Sequence, residues 1–322
     1  MSDIGNLEET GLDKILSSAT RDLPRSSILR IWQRIYYVNY NKLDELRITR
    51  HQDLFNVNFI INMAIIHILL AQLTILWRNP AENLDRLGGL LAPLSGSAGR
   101  LLVLPEMMST GFTEDLDALV EPPGGSWEVG FRRVLEAAAL PCLLGIARRQ
   151  GSEITNEALF LNAGASEPLA SYRKIRLFKS ENAVVTPGRE VTTFEFHGVR
   201  FCPLICYDLR FPELFRAGLR QGAEVFLVIA NWPDRRQLHW ERLLQARAIE
   251  NQAFVVGVNR CGDDPEFHYA GGSMVVDPQG KVLYHAGDRE SITSVAIDVQ
   301  QVRDWRAEFP PTSDYLRDPD LV

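Results

Sequence analysis

The run Arg200–Arg216, RFCPLICYDLRFPELFR, restricts the chain more than any other stretch. The apolar residues Phe201–Ile205 are too few for a buried helix, and they stop at Cys206. A polar segment follows (Tyr207, Asp208, Leu209, Arg210), then Phe211 and Pro212, then a helix-like run from Glu213. That order reads as a buried strand, a sharp corner and a helix start, with a thiol at the corner. A side chain there can face a pocket rather than the core. On local grounds Cys206 has two readings. It is a small core hydrophobe, as Cys202 on the same strand is expected to be, or it is a reactive thiol.

The same grammar recurs along the chain. Strands are expected over Ala64–Gln72, Leu101–Leu104, Pro141–Ala147, Asn156–Asn162, Ala170–Ile175, Phe194–Phe196, Val199–Ile205, Ala223–Ala230 and Phe254–Asn259. Further strands are expected over Gly271–Val276 and Lys281–His285, flanking the turn Asp277-Pro278-Gln279-Gly280, and over Ser294–Ile297. Helices are expected over Pro80–Leu94, Gly124–Ala139 and Gln237–Asn251, and the tail with Pro310, Pro311 and Pro319 reads as irregular. Alternating strands and helices predict a layered α/β fold.

Charge and cysteine usage remove several functional classes. A net charge of −7 disfavours a nucleic-acid partner, which needs basic patches. The four cysteines show no CxxC pair and no metal-ligand spacing, so no structural metal is expected and free thiols in a reducing, cytoplasmic setting are the simpler reading. Phe59–Leu76 approaches the length of a membrane span, but Asn62, His67 and Gln72 interrupt it, so a buried strand is expected. The N-terminus lacks the pattern of a secretory signal. Residues 1–62 carry a possible amphipathic helix at Ile28–Tyr37 and no chemical constellation. They read as an extension, with Met63 an alternative start and 63–322 a single domain.

Glu106, Lys174 and Cys206 each end an apolar strand. If those strands are neighbours, the three side chains converge at one rim, where α/β folds place their sites. Taken singly, Glu106 also reads as a solvated loop acid and Lys174 as a surface lysine. Together they supply what a thiol nucleophile needs, a base and a nearby positive charge. No histidine is placed for a Cys/His pair, since His197 lies in a turn and His239 opens a helix.

The sequence resembles the nitrilase superfamily of carbon–nitrogen hydrolases from about Met63 to Tyr315. LPEMMSTGF resembles that family's glutamate motif, SYRKIRLF its lysine motif and ICYDLRFPELFR its cysteine motif. ANWPDRRQLHWERLLQARAIENQ and VGVNRCGDD are similar to the branch containing ω-amidases. The resemblance implies a four-layer α-β-β-α sandwich, classed as α/β or in some schemes α+β, and pairing into homodimers. It implies Glu106 as general base, Lys174 and the backbone N–H of Tyr207 as oxyanion donors, and Cys206 as nucleophile, with no cofactor. Glu181 is the candidate for a second acidic residue after the lysine, although Arg176 and Asn182 replace histidines common in close relatives. The implied activity is hydrolysis of a small amide, such as an ω-amide of a dicarboxylic acid. N-carbamoyl amides, nitriles, and a catalytically silent binding protein are the alternatives. Arg210, Arg235 and Arg236 are candidates to meet a substrate carboxylate, and equally a structural salt bridge and a solvated pair. Asn231 and Trp232 are candidate pocket residues, Trp232 equally a packing residue.

Overall fold

The computed structural model describes residues 65–94, 100–162, 164–165 and 167–317. The expected helix at Ile28–Tyr37, the extension 1–62 and the alternative start at Met63 lie outside them. In chain order the strands are β1 (Ile65–Gln72), β2 (Arg100–Val103), β3 (Cys142–Gln150), β4 (Glu153–Leu161), β5 (Ala170–Arg173), β6 (Phe194–Phe196) and β7 (Val199–Ile205). They continue as β8 (Val225–Ala230), β9 (Phe254–Asn259), β10 (Cys261–Asp263), β11 (His268–Ala270), β12 (Met274–Val276), β13 (Val282–His285) and β14 (Ser291–Asp298). The α-helices are α1 (Pro80–Leu91), α2 (Ser126–Ala138), α3 (Pro212–Arg220), α4 (Gln237–Asn251), α5 (Gln300–Glu308) and α6 (Pro311–Arg317).

Two six-stranded sheets carry the fold, in the orders β14-β1-β2-β3-β4-β5 and β13-β12-β9-β8-β7-β6. β1, β2 and β3 run parallel, as do β7, β8 and β9, and the flanking strands are antiparallel. Successive strand residues point to opposite faces. Ile66, Ile68 and Leu70 therefore join Phe201, Phe226 and Val228 in one buried cluster, while Leu69 and Ala71 join Leu87 of α1 and Phe131 and Leu135 of α2 in another. Phe215 of α3 and Trp240, Leu244 and Ala248 of α4 also pack into the first cluster. The result is the expected α-β-β-α sandwich.

The stretch read as a possible membrane span holds β1, whose last five residues are buried. Among the described residues no helix is long and apolar enough to cross a membrane. Two local expectations are corrected. The tail forms α5 and α6 rather than irregular chain, with Pro311 opening α6 at a position where its missing N–H costs nothing. A hairpin, β10–β11, appears where no strand was expected.

Candidate active site

Glu106, Lys174 and Cys206 meet, but not at the rim of neighbouring strands. β2 and β5 belong to one sheet with β3 and β4 between them, and β7 belongs to the other sheet. The three side chains converge between layers.

Each is delivered by a specific backbone device. Glu106 lies three residues beyond β2, in a segment laid flat across β3. The Met108 N–H donates to the Gly145 carbonyl at 2.8 Å. A Cβ on Gly145 would stand 2.4 Å from the Pro105 carbonyl oxygen and 2.7 Å from Glu106 Cα, so only glycine allows this approach. Lys174 follows β5, its N–H donating to the Asn156 carbonyl at 2.9 Å. Cys206 opens a 3₁₀ turn (Cys206–Arg210) between β7 and α3 with φ +47°, a left-handed value uncommon outside glycine. A strained strand-to-helix corner that presents a nucleophile is a recurrent arrangement.

The polar groups are tightly paired. Lys174 Nζ donates to Glu106 Oε1 at 2.8 Å and to Glu181 Oε2 at 2.6 Å, with Lys174 1% exposed and Glu106 fully buried. Glu181 sits on a 3₁₀ turn (Lys179–Ala183) and also accepts the Phe178 N–H at 2.7 Å. Asn156 Nδ2 donates to both carboxylates, at 2.8 Å to Glu106 and 2.9 Å to Glu181. Glu106 Oε2 accepts the Asn231 N–H at 2.8 Å, and the Cys206 thiol lies 3.8 Å from the Asn231 carbonyl oxygen. Asn231 thus joins the carboxylate to the thiol.

Two carboxylates face one ammonium, so the cluster's electrostatics oppose a resting thiolate. Burial first, then the charge of Glu106, pushes the Cys206 thiol well above its ordinary value, and Lys174 only partly offsets this. Burial alone would depress the Lys174 ammonium, yet Glu106 and Glu181 hold it well above its ordinary range. A thiol in this state needs its proton removed as it attacks.

A pocket of about 380 Å³, open mouth included, lies over Cys206 and Asn231. Phe112, Phe178, Tyr207, Trp232, Phe267 and Tyr269 form its walls, and Arg210 and Arg236 also line it. Trp232 both lines the pocket and packs against Trp240 at 5.6 Å. Arg210 lies 4.6 Å over the Trp232 ring and within 3.2 Å of His239 Nδ1. Arg236 lies 5.3 Å over the Phe178 ring, while its neighbour Arg235 turns to the Phe267 ring. Among the described residues neither Arg210 nor Arg236 forms an ion pair with a carboxylate. The expected structural salt bridge at Arg210 is therefore not found, and Arg235 and Arg236 do not act as one surface pair.

Asn156 was not singled out in the sequence. Its signal is the polar triplet Thr155-Asn156-Glu157 inside a strand, all three buried, with Asn156 at 1% exposure. Phe267 and Tyr269 arrive on the unexpected hairpin and gave no such signal.

The family model described as carbon–nitrogen hydrolase matches residues 68–307. The chain is 35% identical over 251 residues to a 2-oxoglutaramate amidase of Bacillus subtilis (strain 168), covering 77% of this chain and 96% of the relative. It is 34% identical over 257 residues to the omega-amidase YafV of Escherichia coli (strain K12), covering 77% and 95%. Among solved structures, XC1258 from Xanthomonas campestris, described as a CN-hydrolase superfamily protein with an arsenic adduct in the active site, superposes with TM-score 0.73. It is 33% identical, over 78% of this chain and 97% of that one.

Proposed function

This chain belongs to the carbon–nitrogen hydrolase family, and we propose that Cys206, Glu106 and Lys174 carry its amide hydrolysis, with Glu181 orienting the lysine. It is an enzyme acting on amides. The observation that carries the assignment of roles is Lys174 Nζ between Glu106 and Glu181, beside the buried Cys206 thiol.

Glu106 removes the thiol proton as sulfur attacks the amide carbon. Negative charge then develops on the carbonyl oxygen. An ammonium has three donors, and Lys174 uses two on the glutamates, leaving the third for that oxygen. Its position 5.9 Å over Phe112, a pocket wall, fits this direction. The Tyr207 N–H, next to the nucleophile, is the second donor, in an arrangement worth about 3 kcal/mol per donor. Glu106 returns the proton to nitrogen, the C–N bond breaks and ammonia leaves a thioester. Water then attacks the thioester as Glu106 takes its proton. The acid departs, and the thiol is restored with that proton.

The substrate reading is an ω-amide of a short dicarboxylic acid, of the 2-oxoglutaramate type. Arg236 and Arg210 support it, as two cations lining the pocket without carboxylate partners among the described residues. Burial, then Arg235, depresses the Arg236 guanidinium, an effect an incoming carboxylate reverses. An ammonia-release screen over ω-amides, neutral amides, nitriles and carbamoyl amino acids tests this. Arg236→Gln is expected to raise KM for the carboxylate-bearing amide roughly 10- to 100-fold, the range for a lost charge-assisted contact, and to leave a neutral amide of the same length nearly unchanged. Equal effects on both amides sink the subsite.

Two finer readings accompany this one. The described cysteines are all free, which suits a cytoplasmic setting, and cell fractionation tests that. Homodimer formation is supported by Leu238 and Ile249, which α4 exposes at 62% and 55% while Trp240 and Leu244 face the sheet. Light scattering is expected to return twice the chain mass, and a monomer mass removes the reading.

A further inference from the structure

Asp208 is a fully buried carboxylate that the chemistry above does not use. Its Oδ2 accepts the Ile205 N–H at 3.0 Å and the Tyr172 hydroxyl at 2.8 Å, and its Oδ1 accepts the Arg176 N–H at 2.8 Å. These partners are not random neighbours. Ile205 ends β7 and immediately precedes Cys206. Tyr172 and Arg176 stand on either side of Lys174. Tyr172 lies on β5 and Ile205 on β7, strands of different sheets, so a single side chain spans the gap between the nucleophile's strand and the segment that carries Lys174.

We propose that Asp208 is a positioning residue, whose ionised carboxylate ties the peptide preceding Cys206 to the residues flanking Lys174 and so sets the distance between nucleophile and oxyanion donor. The inference rests on the reading of Cys206 and Lys174 given above. An ionised carboxylate only accepts hydrogen bonds, and all three partners here donate. A protonated acid brings an O–H into a ring of donors. Only the Tyr172 hydroxyl can turn to accept it, so protonation undoes at least one tie. Cys206 needs such restraint, because its φ of +47° persists only where the surroundings enforce it.

The groups facing Asp208 are the Arg176 and Ile205 amides, the Lys174 ammonium, the Tyr172 hydroxyl and the Cys202 thiol on β7. Burial pushes its carboxyl up to about 6, with the first four opposing the rise. The sign of the linkage separates a positioning role from a merely structural one. A carboxyl raised from 3.8 to about 6 adds stability that is fully present below the lower value and lost as pH rises through the upper one. Through this group the fold gains stability on acidification, while the clamp needs the ionised form. Activity and stability therefore run in opposite directions across that window.

The test is the pH dependence of kcat for the full chain, with Tyr172→Phe and Asp208→Asn variants whose fold is checked by circular dichroism. Tyr172→Phe deletes a hydrogen bond that favours ionised Asp208, so the acid limb of kcat is expected to move toward neutral pH. Asp208→Asn is expected to lower kcat roughly 100-fold at every pH, as a misplacement of about 1 Å does, with KM close to wild type and no limb near pH 6. If Asp208→Asn does not fold, the Tyr172→Phe profile decides alone. An unmoved limb in Tyr172→Phe, or a folded Asp208→Asn enzyme with wild-type kcat, overturns the proposal. Cys206→Ala assayed in parallel separates the two layers of inference. Activity in that variant removes the nucleophile assignment and this proposal with it, whereas an inactive Cys206→Ala beside an unmoved limb removes this proposal alone.

Discussion

A Cys206→Ala chain is expected to lose amide hydrolysis by at least about 10⁴-fold while keeping its fold, because no other described nucleophile stands beside the carboxylate–ammonium pair. The fold expectation follows from the local packing. Cys206 is 9% exposed at a corner, where its sulfur makes a long contact to the Asn231 carbonyl and lies beside the Glu106 carboxylate. Replacing the thiol by a hydrogen leaves the Glu106, Lys174, Glu181 and Asn156 contacts intact. Melting temperature within a few degrees of wild type, together with no ammonia release, is the expected result. Mass spectrometry adds a second readout, since wild type incubated with substrate at low temperature should carry an acyl group that the variant cannot. A folded Cys206→Ala variant that still turns over rules out the thioester route.

How much of this could be read from the chain alone differs between fold and site. The strands were legible where they were short, apolar and bounded by turn residues, as β7 and β8 are. α5 was not, because QQVRDWRAE buries only Val302 and so shows no apolar stripe. β10 and β11 read CGD and HYA, with no apolar run to mark either as a strand. The reactive residues were legible because each sits in a dense motif. Their supports were not, since their partners lie far away along the chain. Asn156 meets Glu106 across 50 residues and Glu181 across 25, and Asp208 meets Tyr172 across 36. A buried polar side chain declares its role only through the groups that satisfy it. Arg235 and Arg236 make the same point at short range. They are adjacent in sequence, but the 3₁₀ turn Asp234–Arg236 sends one to Phe267 and the other into the pocket.

Lys174→Met should be the most destabilising of the site substitutions as well as an inactivating one. Among the described residues the lysine is the one cation in contact with Glu106 and Glu181, which are 0% and 2% exposed. Removing one partner of a buried ion pair leaves charge without compensation and costs about 3–5 kcal/mol, far more than the pair itself contributes over an apolar replacement. Asn156 cannot substitute, because its two N–H donors already serve both carboxylates and it brings no charge. A double variant, Lys174→Met with Glu181→Gln, separates stability from catalysis. Replacing one of the stranded carboxylates by a neutral amide should restore much of the lost stability in urea unfolding, a coupling expected between groups in direct contact. Activity should stay absent, because the oxyanion has still lost its ammonium donor. Recovery of turnover along with stability in the double variant would show that Lys174 serves the fold alone. Stability recovered with turnover still absent places the lysine in the chemistry, with the ion-pair triad as the means of holding a third N–H toward the pocket.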